Sequence, residues 1–499
     1  MEDFEVREYI LRLTKIVLFL FILITSLYFI NQVLIPKYIY KNSTWPTTSS
    51  YYQFYNMDIN SVDVIFLGSS VIVNAFSPQE IYNNYGIRSY NLGSEQQSIF
   101  LSYYWLKEAL RYQSPKVVLL DTRFLFEVHP ESPVNTTEGL IRKCLDPMRW
   151  SSVKVEAVKE LCEIDKDQSE LSYYFTNIRF HSRWTSLTEY DFISSEYQYA
   201  ELKGYAAIDT YGGDSFNVYT FGGDLEEKVN PQVVMKEYLD RIVELCKSKN
   251  IDLILMSLPG NSMNDGINNM LTSYAKVNKI SYYNLCEKGL YHSIGAKLPK
   301  ESIVDHGNIW GSMKLSQFIG ELLKESYSVQ AVKDVQYEKT REYYNHIIKN
   351  CELKHIIDID EYLSEINDKN YTIFIAAKEE CTQGLTESVK EKLKNLGLQQ
   401  DLEGKYAWSY CAVIDPENGV IERLSDDKVS LVGSIRGGRT FYAISSAGYL
   451  AGVNSSIVID GTEYSKNQRG LNIVVYDNMQ MKIIDQVCFD TWKDCSAKR

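Results

Sequence analysis

Two short stretches of this sequence carry the residue types that acyl chemistry needs. One is Gly68-Ser69-Ser70; the other is Asp305-His306-Gly-Asn308-Ile-Trp-Gly311. A serine hydroxyl is a weak nucleophile until a base takes its proton, and imidazole is the side chain suited to that work near neutrality. A carboxylate next to the imidazole would fix its tautomer and stabilise the imidazolium. The same residue types also serve as turn, cap and packing residues, so spacing alone leaves both readings open.

The elements around these stretches decide where they would sit. Asp63-Val-Ile-Phe-Leu-Gly-Ser-Ser70 is an apolar run that breaks on Gly-Ser-Ser. It has little polar alternation, as expected of a strand buried on both faces in a parallel sheet, which delivers Ser70 to a turn at the sheet's carboxyl edge. Ser89-Tyr-Asn-Leu-Gly93 reads as a second strand and Pro115-Lys-Val-Val-Leu-Leu-Asp121 as a third. Between them Ile99, Tyr103, Leu106 and Leu110 fall on one helical face. An insertion, 124–230, interrupts the alternation. It resumes with a helix over 233–249, a strand over 251–257, a helix over 267–278, a strand over 280–285 and a helix over 311–325. Such alternation predicts a three-layer α/β unit with a mostly parallel sheet.

The 499 residues are too many for one ordinary core. Residues 16–36 are apolar enough to cross a bilayer core of about 30 Å, with Arg7, Arg12 and Lys15 before them in 1–15 and Lys37 and Lys41 after, a weak positive-inside bias. They read as an uncleaved transmembrane anchor with a cytoplasmic tail, the bulk of the chain lying outside; a cleaved signal peptide is the competing reading. Residues 37–58 read as a polar linker. A net charge of −13 without any Lys/Arg block argues against a nucleic-acid partner. The 38 tyrosines suit flat contacts with sugar rings or simple packing with a bonded hydroxyl. Nine cysteines without a CxxC pair or His/Cys cluster point to no metal site and no dense disulfide frame, and the motifs call for no cofactor. Cys488 and Cys495 could pair, which spacing alone does not show.

Three blocks, Val64-Ile-Phe-Leu-Gly-Ser-Ser70, Tyr90-Asn-Leu-Gly93 and His306-x-Asn308-x-x-Gly311, together resemble the SGNH/GDSL hydrolase superfamily. The likeness is to its membrane-anchored bacterial branch, that of the alginate O-acetyltransferases and the D-alanyl transfer protein of teichoic acids. Tyr173-Tyr-Phe and His181-Ser-Arg-Trp184 in the insertion fit that branch too. The resemblance covers 59–328 and implies Ser70 as nucleophile, His306 as base, and the N–H groups of Ser70 and Gly93 in an oxyanion hole. Two positions depart from the pattern. The family's acid stands three residues before the histidine, which is Ile303 here, and the nearest acid is Asp305. Either the chain turns sharply enough for Asp305 to serve, or the site is a Ser-His dyad, or another carboxylate acts. The family's third-block asparagine is replaced by Asp121-Thr-Arg123, so the third oxyanion donor falls to Arg123 or Gln96, unless Arg123 is a structural ion-pair residue.

After a helical connector, 329–354, the texture changes to short strands with glycine turns and one helix, 385–396. Tyr371-Thr-Ile-Phe-Ile-Ala-Ala, Leu393-Lys-Asn-Leu-Gly397, Tyr410-Cys-Ala-Val-Ile and Arg469-Gly-Leu-Asn-Ile-Val-Val-Tyr-Asp resemble the interleukin-like EMT inducer, or PANDER-like, domain over 355–495. That implies a β-sandwich able to hold carbohydrate, with Ser465, Asn467 and Arg469 as sugar contacts or as an ordinary polar turn. The expectation is therefore a membrane-anchored acyltransferase or esterase. Its substrate would be the O-acyl, chiefly acetyl, groups of an envelope or exported polysaccharide. In the transferase version a membrane-bound O-acyltransferase partner supplies the acyl group. A catalytically weak scaffold that binds glycans is the alternative.

Overall fold

The computed structural model describes residues 2–36, 49–129, 132–192, 202–212, 219–259, 262–295, 297, 301–303 and 306–499. The chain divides into two compact units, Met1–Asn345 and His346–Arg499.

The first unit opens with one long helix, Glu2–Leu34, whose most apolar 18-residue window has a mean hydropathy of 2.3 and is not buried. A membrane-spanning helix and a signal sequence both have this length and composition. The centre of the unit is a five-stranded parallel sheet, β1 (Val64–Gly68), β2 (Ser89–Gly93), β3 (Val117–Asp121), β4 (Asp252–Ser257) and β5 (Ser281–Asn284). Its order is β2-β1-β3-β4-β5. β1 to β3 are buried along their whole length, as their unbroken apolar runs require. Alternate residues feed two cores. Ile65, Leu67, Val118 and Leu120 pack with the helices Ile99–Ala109 and Val233–Lys249. Val64, Phe66, Val117 and Leu119 pack on the other face with the helix Ile309–Glu325. Because β2 lies to one side of β1 and β3 to the other, the strand order reverses between β1 and β3. Open α/β sheets bind ligands in the crevice at that switch point.

Part of the stretch read as linker belongs to this core. Residues 37–48 lie outside the described residues, but Ser49–Phe54 is helical, with Tyr51 and Phe54 fully buried. Tyr51 stacks on Trp105 at 4.3 Å between ring centroids, which accounts for an aromatic, serine-rich segment folding inward.

The insertion is helical. Arg142, itself buried, bonds the Ser172 carbonyl and hydroxyl and lies 4.0 Å from the centre of the Tyr173 ring. This ties the helix Glu170–Tyr174 to the helix Glu138–Leu145. Asp146 caps that second helix with its carboxylate in the interior, 3.7 Å from Arg142 Nη1. Burial pushes its pKa up to about 6, against the opposing pull of Arg142 and Lys154. The folded state therefore binds a proton that the unfolded chain releases, so stability falls as pH rises from about 4 through 6. Asp146→Asn should raise the melting temperature at pH 7.5, by up to about 3 kcal/mol of stability, with the gain vanishing near pH 4. Thermal denaturation of both chains across that range checks it; an equal gain at every pH would refute the assignment.

In the same unit, β6 (Ser302–Ile303) and β7 (His306–Gly307) pair antiparallel, with Ile303 opposite His306.

The second unit is strand-rich, as the sequence suggests. β8 (Tyr371–Glu379), β9 (Ser409–Asp415), β10 (Gly419–Ser425), β11 (Val429–Ile435), β12 (Thr440–Gly448), β13 (Asn454–Ile459), β14 (Thr462–Glu463), β15 (Gly470–Asp477), β16 (Lys482–Phe489) and β17 (Ala497–Lys498) form one sheet. The sandwich-like arrangement comes from a single curled sheet. One face of β8, with Ile373 and Ile375, packs under the helices Ile359–Glu365 and Glu387–Asn395. Phe374 and Ala376 on the other face meet Ile444 and Ile457 of β12 and β13. All nine cysteines are free thiols, and the suggested Cys488–Cys495 bridge is absent. Cys488 Sγ donates to the carbonyls of Gln468 and Arg469, whereas Cys495 Sγ donates to that of Gly384.

Candidate active site

The site is built on the way β1 ends. Gly68 has φ +146°, a conformation that side chains other than hydrogen rarely allow, and a Cβ there would lie 2.5 Å from Asp121 Cβ. Glycine lets the ends of β1 and β3 approach so closely. Ser69 follows in extended conformation and caps the short helix Ser70–Ala75, accepting from the Val71 N–H. Its buried hydroxyl donates to Asp121 Oδ2 at 2.7 Å, while Asp121 Oδ1 accepts from the Arg123 N–H at 3.0 Å. One buried carboxylate thus clamps the turn after β1 to the turn after β3, across the switch point.

Ser70, at the start of the helix, is half-buried and lies 2.8 Å from His306, Oγ to Nε2. With the ring proton on Nδ1, the Ser70 hydroxyl donates to Nε2, the arrangement a general base needs. His306 comes from β7. It is held by the next element: Asn308, fully buried, caps the helix Ile309–Glu325 by accepting from the Gly311 N–H and donates to the Thr210 carbonyl. A Cβ on Gly311 would lie 2.2 Å from the Glu301 carbonyl oxygen, so glycine is required for the close approach of the residue that precedes β6. Asn308 and Gly311 therefore serve the histidine by fixing its loop. Asp305 lies outside the described residues.

Ser70 and His306 open into a cleft of about 360 Å³ lined also by Glu95, Gln96, Arg123, Phe124, Glu127, Val128 and His129. Both candidates for a third oxyanion donor are therefore in the right cleft. Gln96 is held at φ +48°, in the left-handed region, within the turn after β2. Arg123 donates through Nε to Glu127 Oε2 at 2.9 Å, so the ion-pair role and a place beside Ser70 coexist in one side chain. Gly93 lies at the end of β2 opposite Gly68, where a Cβ would come within 2.9 Å of the Gly68 carbonyl oxygen. Its backbone adjoins the nucleophile turn, as an oxyanion glycine must.

The wall formed by Phe124, Glu127, Val128 and His129 was not singled out in the sequence, where it reads as the start of the insertion. The available signal was position: these residues follow β3 directly at the sheet's carboxyl edge. His129 lines this cleft, and its Nδ1 is buried without a hydrogen-bond partner among the described residues.

The three residues suggested as sugar contacts are in the second unit, and each has an internal partner. Ser465 and Ser455 hydroxyls are 2.8 Å apart, Asn467 Oδ1 accepts from the Ser455 N–H, and Arg469 pairs with Asp490 and lies over the Trp492 ring. These contacts fix a polar turn.

No family model matches the chain, and no curated protein matches it. Among solved structures, a protein described as a candidate acylhydrolase of Bacteroides fragilis aligns at 13% identity and a TM-score of 0.27, over 56% of this chain and 98% of its own. A GDSL-like lipase of Bacteroides thetaiotaomicron aligns at 12% identity and a TM-score of 0.27, over 56% and 99%. Likenesses this slight say nothing of chemistry, and the functional reading rests on the chain's own geometry.

Proposed function

We propose that the first unit is a serine acyl-transfer enzyme of the SGNH type, an esterase or acyltransferase, working outside the cytoplasm on O-acyl groups of an envelope or exported polysaccharide. The observation that carries the proposal is the 2.8 Å contact between Ser70 Oγ and His306 Nε2 in a cleft at the sheet's switch point. In the reaction, Ser70 Oγ attacks the acyl carbonyl carbon while its proton passes to His306 Nε2. The carbonyl oxygen becomes an oxyanion facing the Ser70 and Gly93 backbone, where each well-aimed donor is worth about 3 kcal/mol. Collapse of the tetrahedral intermediate breaks the bond to the first alcohol, which leaves with the proton from His306. The acyl-serine is then attacked by water in an esterase, or by a sugar hydroxyl in a transferase, with His306 again taking the proton and returning it to Ser70 Oγ as the acyl–Oγ bond breaks.

The polar side chains of Glu95, Gln96, Glu127 and His129 suit a hydroxyl-rich acceptor, and Phe124 and Val128 offer apolar surface to a short acyl chain. Two hydrogen bonds support the retained anchor over a cleaved leader. Thr176 Oγ1 donates to Asn31 Oδ1 and Arg183 Nη1 to the Leu34 carbonyl, so the end of the long helix is built into the folded unit. In this reading the acyl donor is handed over by a membrane-bound O-acyltransferase, and the strand-rich unit, through its resemblance to the EMT inducer domain, holds the glycan.

The full chain in detergent should be labelled by a fluorophosphonate probe and should release acetate from an acetylated polysaccharide or move it to an added acceptor glycan. Acetate release without transfer selects the esterase. Neither labelling nor turnover would leave the glycan-binding scaffold as the better account.

A further inference from the structure

The segment of the insertion fastened to the end of the long helix exposes a set of large apolar side chains. Leu171, Phe175 and Ile178 lie along two short helices, Glu170–Tyr174 and Thr176–Phe180, that are broken at Phe175. They are 60%, 57% and 50% exposed, and Trp184 and Phe192 in the turns that follow are 70% and 69% exposed. Three polar residues of the same stretch face inward, while His181, Ser182, Thr185, Ser186 and Thr188 are exposed and Tyr173 and Phe180 are buried. Ser172 is buried against Arg142, Thr176 is buried against Asn31, and Asp191 is buried against Arg183. The exposed charges are paired toward the domain as well, Arg179 with Glu138. A segment facing water seldom exposes this many large apolar side chains together.

The position of this apolar surface indicates what covers it. Asn31 and Leu34, which hold the segment, are in the last turn of a helix whose uncharged part, residues 16–34, runs about 28 Å at 1.5 Å per residue. A hydrocarbon core is about 30 Å thick, so with Lys15 at one headgroup level the last turn, and whatever is fastened to it, lies at the other. Aromatic side chains such as Trp184 are favoured at that level. We infer that residues 170–192 lie in the outer boundary of the bilayer, with Leu171, Phe175, Ile178, Trp184 and Phe192 in lipid. The apolar surface is then continuous from the spanning helix onto the domain. This inference rests on the retained-anchor reading above. Its consequence is orientation: one spanning helix leaves a domain free to swivel, and a second apolar footing holds the domain in one attitude over the membrane.

Tryptophan quenching in nanodiscs tests this. The full chain is reconstituted into phosphatidylcholine discs whose lipids are brominated high on the acyl chain, in parallel with Trp184→Phe and with a Phe175→Asp, Ile178→Asp chain. The wild type should be quenched, Trp184→Phe should lose a measurable share of that quenching, and the double variant should lose a similar share by lifting the segment. Chains that co-elute with discs but are quenched equally with and without Trp184 would overturn the inference and make a membrane-protein partner the occupant. Failure to co-elute at all would overturn the anchor itself, and this inference with it.

Discussion

Ser70→Ala is expected to lower aryl acetate turnover by a factor on the order of 10³ or more, and adding His306→Ala to that variant is expected to cost almost nothing further. The reason is that the two residues act as one unit. His306 contributes by accepting the proton that Ser70 Oγ gives up at 2.8 Å, so without the hydroxyl there is no proton to accept and no acyl-serine to resolve. His306→Ala alone should approach the same floor. Fluorophosphonate labelling should disappear with Ser70→Ala and fall steeply with His306→Ala. Both side chains are only half-buried, so melting temperatures should stay near that of the wild type, which separates lost chemistry from lost fold. Losses that multiply in the double variant would mean that the two residues act independently, and the nucleophile and base would have to be sought elsewhere in the cleft.

How much of this site the sequence discloses depends on how local each cause is. β1 is legible because an uninterrupted apolar run needs no partner to be identified, and the break at Gly68-Ser69-Ser70 follows from the same residues. The pairing of Ser70 with His306 spans 236 residues, yet it is legible through chemistry: a serine at a sheet's ligand edge needs a base, and His306 heads the last helix of the unit. Asp121 is the contrary case. As sequence it is a departure from the asparagine expected among oxyanion donors. In the structure it is a buried clamp whose partners, Ser69 and Arg123, are set by how closely β1 and β3 approach. Nothing within a few residues of Asp121 discloses that approach. The same holds for Tyr51, whose polar, aromatic surroundings read as linker until Trp105 supplies the stacking partner. In the second unit β10 is hard to read because Val-Ile-Glu-Arg-Leu-Ser is an exposed edge strand with weak alternation. The cross-links among its strands are long-range, so only the strand-rich texture, not the single curled sheet, can be read from the chain.

The second large effect is expected at a residue that touches no substrate. Gly68→Ala forces a methyl group to within 2.5 Å of Asp121 Cβ while holding alanine at φ +146°. Neither can be relieved alone. Rotating φ toward the allowed region swings the Ser69 peptide away from Asp121, and moving Asp121 breaks its bonds from both Ser69 Oγ and the Arg123 N–H. Left-handed strain of this kind costs of order 1–3 kcal/mol and overpacking a further 1–3, so a loss of about 2–6 kcal/mol in stability is expected from urea denaturation. Activity in the folded fraction should fall as well, by roughly a hundredfold, because a displacement of about 1 Å at a reacting atom is enough. Asp121→Asn separates the two effects. It keeps an acceptor for the Arg123 N–H and offers Ser69 an amide whose hydrogen the hydroxyl can accept, so stability should drop by only about 1 kcal/mol. Turnover should still fall, because Ser69 is then held from the opposite direction and Ser70 moves with it. If Gly68→Ala folds as stably as the wild type and turns over as fast, then the close approach of β1 and β3 is not what aims Ser70 at His306.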